Sequence, residues 1–264
     1  MTATGWPSSH ALSLALLACL AGCVVPDVAF EPRMGRLDVS GELVIAVGSG
    51  NATASADELG LGADNSAFQP ALALDWGRIS TTFEGLFAKF EGEGTANANI
   101  SFGGEDVIVV GAPIGTEVEI DIVTARASYD LLASEAWELG LGAGVGLLDY
   151  LSEVESLQGD GGIRTEGNLP FAFLSGTLGR SFGRFELRGT INGAAAELQD
   201  EALAFTDIDL GASYRFVGRR GRPLGMITLG FRSLDVDYRF EDGENDVQVD
   251  LSFVGPYLGL RFGF

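Results

Sequence analysis

Apolar and polar residues alternate along most of this chain beyond its N-terminal segment, with the period of two that places side chains on opposite faces of a β-strand. Trp137, Leu139, Leu141, Ala143, Val145 and Leu147 fall on one face, and Glu138 with four glycines falls on the other. The same alternation sets Leu37, Val39, Leu43, Ile45 and Val47 against Asp38, Ser40 and Glu42, and Leu72, Leu74 and Trp76 against Ala73 and Asp75. Phe83, Gly85 and Phe87 oppose Thr82 and Glu84; Val123, Ala125, Ala127 and Tyr129 oppose Thr124, Arg126 and Ser128. Further on, Phe185, Leu187 and Ile191 oppose Glu186, Arg188 and Thr190, and Ile208, Leu210, Ala212, Tyr214 and Phe216 oppose Asp207, Asp209, Ser213 and Arg215. Ile227, Leu229 and Phe231 oppose Thr228, Gly230 and Arg232. The segment 169–182, which carries Pro170, and the final segment bring the expected strands to about ten.

The connections alternate between short (77–78, 132–136, 183–184, 217–223) and long (48–69, 90–116, 148–168, 193–204, 238–246). An even number of amphipathic strands with alternating short and long connections predicts an all-β fold, a single antiparallel up-and-down transmembrane β-barrel with short periplasmic turns and long external loops. Both termini then lie on the side of the short turns. The many inward glycines fit a crowded, narrow lumen.

The N-terminal segment reads differently. Residues 11–20 (ALSLALLACL) form a short apolar run of secretory-signal type, too short to span a bilayer as a helix. It ends in Leu20-Ala21-Gly22-Cys23, which resembles the lipobox of bacterial lipoproteins and implies acylation at Cys23. Prolines 26 and 32 suggest a tether. The expected organisation is a signal peptide over 1–22, a periplasmic tether over 23–35, lipidated at Cys23, and the barrel over 36–264.

At the other end, Leu258, Leu260, Phe262 and Phe264 share one parity and finish on an aromatic residue. This resembles the terminal assembly signal of outer-membrane proteins, and the chain as a whole resembles the small OmpA/OmpW-like membrane barrels. The resemblance implies a bacterial cell outer-membrane location, with outer-membrane lipids and the barrel-assembly machinery as partners. It transfers no catalytic residues.

Charge and composition narrow the function. With 37 acidic against 16 basic residues the formal charge is −21, which argues against a nucleic-acid partner. Acidic stretches such as Glu91-Gly92-Glu93, Glu105-Asp106 and 241–246 are expected to be a solvated external face, or a place for an external ligand or cation. Both cysteines, Cys19 and Cys23, and the single histidine, His10, fall in the leader, so no Cys- or His-based metal site and no cofactor is expected in the mature fold. Without a histidine base, the hydrolases known among small barrels are disfavoured.

The candidate chemistry is therefore a lumen network of Glu42, Asp75, Glu84, Arg126, Glu138, Glu186, Arg188, Asp207, Asp209, Arg215, Arg232 and Arg261. Polar groups inside a narrow barrel must pair with one another, so the expected function is a non-enzymatic structural or surface-binding barrel with a plugged lumen. The alternatives are a small cation-preferring pore, a hydrolase using the Asp207 and Asp209 carboxylates, and a lipid-tethered soluble barrel whose Trp137 to Leu147 face lines an apolar cavity. Trp76, Tyr129, Trp137, Tyr214 and Phe264 are expected to form a periplasmic aromatic girdle.

Overall fold

The computed structural model describes residues 25–264 apart from 48–49, 57–58, 60, 62–64, 96–99, 103–104, 109–110, 135, 158–161, 199–200, 220–221 and 243–244; the side chains of 42–54, 100–108, 162–163, 165, 196–198, 201, 219, 222–223, 240–242 and 245–249 are also outside the description. The described elements are all strands: β1 (Asp27–Glu31), β2 (Arg33–Val47), β3 (Gly50–Ser55), β4 (Asn65–Phe68), β5 (Ala71–Asp75), β6 (Ile79–Thr95), β7 (Ile100–Phe102), β8 (Glu105–Ile108), β9 (Pro113–Ala133), β10 (Trp137–Ser156), β11 (Gly162–Phe182), β12 (Phe185–Leu198), β13 (Glu201–Arg219), β14 (Arg222–Asp242) and β15 (Asn245–Gly263). β7 and β8 form a separate hairpin near β3 and β11. The others form one antiparallel wall of ten staves, with β1 and β2 as the first and β3, β4 and β5 as the second. Pairing of β15 with β1 and β2 closes the wall on itself, so no long sheet edge is left at the seam.

The wall starts earlier than the prolines suggest. Residues 27–35, expected as part of a tether, are barrel: β1 pairs with β5 from Asp27↔Asp75 to Glu31↔Ala71, and with β15 at Ala29↔Gly263. Pro32 lacks an N–H and interrupts the stave between β1 and β2. Its carbonyl still accepts a hydrogen bond from Leu260 N at 3.1 Å. Residues 1–24, including Cys23 and the expected signal peptide, lie outside the described residues.

The long staves also reach much further than the expected strands. Most of 148–168 and 90–116, for example, is strand, paired through Glu155↔Gly162 and Thr95↔Pro113. Much of these two excursions thus continues the wall, with the β7–β8 hairpin set apart from it. A 21-residue stave such as β9, rising about 3.3 Å per residue and tilted about 40°, stands about 50 Å tall, roughly twice an outer-membrane apolar band of about 25 Å.

Each stave turns inside out part-way along. In the half nearest the short turns, apolar side chains face outward: Leu141 and Val145 are 57% and 61% exposed, while Thr124, Arg126, Ser128 and Glu138 face the lumen. In the other half the apolar side chains face inward. Ile114, Val118, Ile120 and Ile122 of β9 are buried, and the alternate Glu119 and Asp121 are half-buried or exposed on the outside. Leu148 and Val154 of β10, Phe171 and Phe173 of β11, Phe205 of β13, Leu234 and Val236 of β14, and Phe253 of β15 join them in one apolar core. β2 lies mostly in this second half, so Leu37 and Val39, expected toward lipid, are buried inside, and Asp38 and Ser40 are exposed. The physical cause is a change of solvent along the stave: lipid outside the lower half demands apolar residues there, whereas water outside the upper half sends them inward.

Close packing explains the inward glycines. A Cβ on Gly144 or Gly146 would stand 2.4 Å from Phe173 Cζ or 2.3 Å from Phe171 Cζ, so bare backbone on β10 makes room for two rings of β11. Those rings meet Phe205 with centroids 4.9 and 6.4 Å away.

Candidate functional site: the stratified lumen

Below the apolar core, the lumen is a ladder of ion pairs. Its uppermost rung is Asp207 with Arg232, 2% and 5% exposed. Arg232 Nε donates to Asp207 Oδ1 at 2.8 Å and Nη2 donates to Oδ2 at 3.0 Å, a bidentate pair. Asn192 donates to Asp207 Oδ2 at 2.9 Å, and Arg232 Nη1 donates to Gln69 Oε1 at 3.2 Å. Arg126 Nη1 donates to Ser175 Oγ at 3.2 Å and Asn192 Oδ1 at 3.3 Å, and its Nη2 lies 4.0 Å from Glu84.

Asp209 does not join Asp207 in a carboxylate pair. It accepts from Arg33 Nη1 at 2.7 Å and from the Tyr257 hydroxyl at 2.6 Å. Arg33 also holds Glu31 at 3.1 Å and stacks 5.2 Å from the Tyr257 ring centroid. With each carboxylate engaged by a different guanidinium, neither is placed as the partner of the other in acid/base work.

Nearer the short turns, Arg188 Nη2 donates to Glu138 at 2.8 Å and lies 3.4 Å from Glu186. Arg215 donates to the carbonyl of Gly183 at the β11–β12 turn. These groups border a cavity of about 510 Å³ that extends to the turn residues Gly77, Ser134, Ala136 and Arg184, so it opens at that end of the barrel. Asp75 and Arg261 line it as charges facing each other, and Arg261 also lies among Glu31 and Glu186.

Of the sequence-derived set, the lumen therefore brings together Asp207 with Arg232, Arg126 with Glu84, and Arg188 with Glu138 and Glu186. Asp209 is paired through Arg33 and Tyr257. The Glu42 side chain lies outside the described residues; its neighbours Asp38 and Ser40 face outward on the upper half of β2. Glu31, Arg33 and Gln69 lie outside the sequence-derived set, because Pro32 and Pro70 beside them give their segments the pattern of tether and loop. Tyr257 has the parity of Arg261, which is the signal that could have found it. Leu258, Leu260, Phe262 and Phe264 all face outward beside the closing seam, and Phe264 N donates to Val28 O at 2.8 Å.

Trp76, Tyr129, Trp137 and Phe264 are exposed near the short turns, and Tyr214 lies against Phe185 with ring centroids 5.1 Å apart. The Arg180 guanidinium lies 4.5 Å from the ring centroids of both Trp137 and Phe182, a cation held in the aromatic belt. The Trp137 to Leu147 face is thus outside the barrel, which removes the reading in which it lines an internal ligand cavity.

The upper exterior is acidic and cross-linked. Lys89 reaches Glu117 at 2.7 Å, Glu91 at 3.0 Å and Glu119 at 3.5 Å, and Arg164 bridges Glu153 at 3.6 Å and Glu166 at 3.4 Å. Hydrogen bonds from Glu117 and Glu91 hold the Lys89 ammonium well above the ordinary lysine range, and Glu155 is raised by its hydrogen bond with Glu153.

A scan of protein-family models finds no match to the chain, and a comparison with curated protein sequences finds none. Among solved structures, the outer membrane protease OmpT from Escherichia coli superposes with a TM-score of 0.58 at 14% identity, covering 90% of this chain and 97% of that one. Neisserial surface protein A aligns at 11% identity over 89% of this chain and 99% of that one, with a TM-score of 0.33. The transport unit of the autotransporter AIDA-I from Escherichia coli aligns at 11% identity over 97% of this chain and 98% of that one, with a TM-score of 0.41. At such identities the likeness to OmpT speaks for the fold and for no activity. A closed ten-stave wall with an apolar outer belt and a polar interior beneath it makes this chain, in fold, a β-barrel of the bacterial outer-membrane type.

Proposed function

We propose that the protein is a sealed, non-enzymatic outer-membrane barrel that holds an acidic, β-walled body above the outer leaflet in a structural or surface-binding role. The observation that supports this reading is the apolar core of the upper half, where Phe90, Phe171, Phe173, Phe205, Leu234 and Phe253 from several staves are buried in one cluster. An ion crossing such a layer would lose its hydration with no polar group to replace it. The Asp207–Arg232 and Asp209–Arg33 pairs beneath it support a structural use of the lumen carboxylates. The acid-rich exterior around Lys89 and Arg164 favours a cationic partner in solution.

An acylated Cys23 belongs to the same reading. β1 starts at Asp27 at the end of the short turns, so acyl chains on Cys23 would enter the periplasmic leaflet beside the barrel. Incorporation of a labelled fatty acid, lost in Cys23→Ala, is the expected result; equal labelling in the variant would remove the anchor.

Planar-bilayer recording of the purified barrel tests the main proposal. No conductance step above the bare bilayer is expected at either polarity. Reproducible steps in the wild-type protein would overturn the sealed barrel in favour of a pore.

A further inference from the structure

Charge is unevenly placed along the barrel axis. The chain carries −21 overall and its upper exterior is acidic, yet the short-turn end is rich in arginine. Arg78 lies in the turn before β6 and Arg184 in the turn before β12, and both are exposed. Arg215 of β13 is fastened beside the second turn, its backbone N–H donating to the Arg184 carbonyl at 2.8 Å and its guanidinium to the Gly183 carbonyl. β13 and β14 meet at Arg219↔Arg222, within the sequence Arg219-Arg220-Gly221-Arg222. Acids occur at this level too. Asp75, Asp130, Glu138 and Glu186 alternate with the outward Trp76, Tyr129, Trp137 and Phe185, so they face the lumen, where Arg188 holds the last two. Asp27 stands on β1, outside the sector formed by β10 to β13.

On the outside of that sector the outward positions nearest the turns are aromatic or aliphatic, with one exception. Arg180 of β11 has the outward parity of Leu174 and Leu178, which are 73% and 54% exposed, and its neighbours across the ladders are Trp137 and Leu187. Its guanidinium lies 4.5 Å from the ring centroids of Trp137 and Phe182. An aromatic face attracts a guanidinium without neutralising it. Next to it, Arg184 donates to the Tyr214 hydroxyl at 3.4 Å, and the Tyr214 ring rests on Phe185. Two arginines of one hairpin are thus set among girdle rings at the lower margin of the lipid-facing surface.

We infer that this sector is a docking surface for the headgroups of anionic phospholipids in the leaflet beside the short turns, with Arg180 and Arg184 meeting the phosphate. Arginine suits a phosphate because its planar fork donates to two oxygens at once. A lipid fits better than a soluble anion because Arg180 is on the lipid-facing parity, directly below Leu178, among rings that belong at headgroup depth. At the other end of the barrel the acidic exterior would repel the same headgroups, so the preference belongs to one leaflet. The surface lies outside the lumen and stands whether or not the barrel conducts.

The test uses the full chain reconstituted in phosphatidylcholine vesicles, with Trp137 as the reporter beside Arg180. The tryptophans are Trp6, Trp76 and Trp137, so Trp6→Phe/Trp76→Phe leaves Trp137 alone. A fixed minor fraction of the lipid is replaced by brominated phosphatidylglycerol or by brominated phosphatidylcholine, whose bromines quench a tryptophan at close range. The anionic lipid should quench Trp137 as if enriched about threefold around it, the scale of one exposed charge contact, and added salt should reduce the preference. Arg180→Gln/Arg184→Gln should bring the two lipids to equal quenching, whereas Arg164→Gln in the acidic exterior should leave the preference intact. Because the readout is a ratio between two lipids at one tryptophan, a change in the ring's own surroundings does not imitate the loss. Equal quenching by the two lipids in the reporter protein, a preference insensitive to salt, or an undiminished preference in the double variant would overturn the surface. A preference lost equally in Arg164→Gln would reduce it to a general charge effect and overturn its assignment to this sector.

Discussion

Two leucines on β10 share the outward parity but should sit in different solvents, and replacing each with arginine separates them. With about 3.3 Å of rise per residue and a tilt near 40°, Leu141 stands about 10 Å above the Trp137 girdle, close to the middle of a band about 25 Å tall. Leu151 stands about 35 Å above it by the same geometry, clear of the band. Leu141 is 57% exposed and neighbours Tyr129 and Gly176 across the ladders, whereas Leu151 pairs with Glu119 and Glu166. An arginine near the midplane of a barrel's lipid face costs about 2–4 kcal/mol, and one in water beside carboxylates costs less than about 1 kcal/mol. Leu141→Arg should therefore lower the unfolding free energy by about 2–4 kcal/mol, and Leu151→Arg should leave it nearly unchanged. The assay is reversible urea unfolding of the barrel refolded in phosphatidylcholine vesicles, followed by tryptophan fluorescence. Equal costs at the two positions, or a larger cost at Leu151, would refute the assignment of lipid to the lower half and water to the upper.

Other consequences follow from single contacts. Asp207→Leu strands the buried Arg232 guanidinium and should destabilise by about 3–5 kcal/mol, while the double variant Asp207→Leu/Arg232→Met should recover most of the loss in the same unfolding assay; a double variant no more stable than the single would mean that the pair is not coupled. Gly255→Ala places a Cβ 1.8 Å from the Arg36 carbonyl oxygen across the closing seam, so the folded, heat-modifiable band on gels should be lost; a normal yield of that band would show that the seam does not pack this closely. Glu155 should titrate above an ordinary glutamate because it shares a hydrogen bond with Glu153. Its raised pKa means that protonation on acidification favours the folded pair, and this contribution disappears as pH rises through the raised value. Carboxyl-carbon NMR of the selectively labelled protein should show this, with Glu153→Gln bringing Glu155 back down.

The strands legible in the sequence are those where one hydrophobic phase runs unbroken. β10 from Trp137 to Leu147 keeps its apolar residues at odd positions, and the ten-stave count and the short turns follow from such runs. At Leu147-Leu148 the apolar phase slips to even positions, and at Ile122-Val123 of β9 two apolar residues again stand side by side. A slip of this kind looks like the end of a strand, because a half-buried strand normally keeps one apolar face. Here the backbone continues and only the solvent changes, so segments such as 148–156 and 113–116 read as loops in the sequence. β2 shows the converse error: its run through Leu37 and Val39 is regular, but it belongs to the upper phase and its apolar face is inward. Parity identified most of the charged lumen, since inward arginines and carboxylates alternate with lipid-facing residues in the lower half. It did not identify which groups pair, because Asp209 finds Arg33 from a stave far away in sequence, at a position masked by flanking prolines.

The inside-out switch is tested most directly by nitroxide labels placed one at a time on the outward positions of β9, from Glu117 through Glu119, Asp121, Val123, Ala125 and Ala127 to Tyr129, in the barrel reconstituted in lipid. Collision with oxygen, which concentrates in lipid, and with a water-soluble nickel chelate is then measured by power-saturation spectroscopy. The structure requires nickel to dominate at Glu117 and Glu119, oxygen to dominate at Ala125 and Ala127, and the two to cross near Asp121 and Val123. Nickel dominance along the whole series, or oxygen dominance at Glu117 and Glu119, would contradict it.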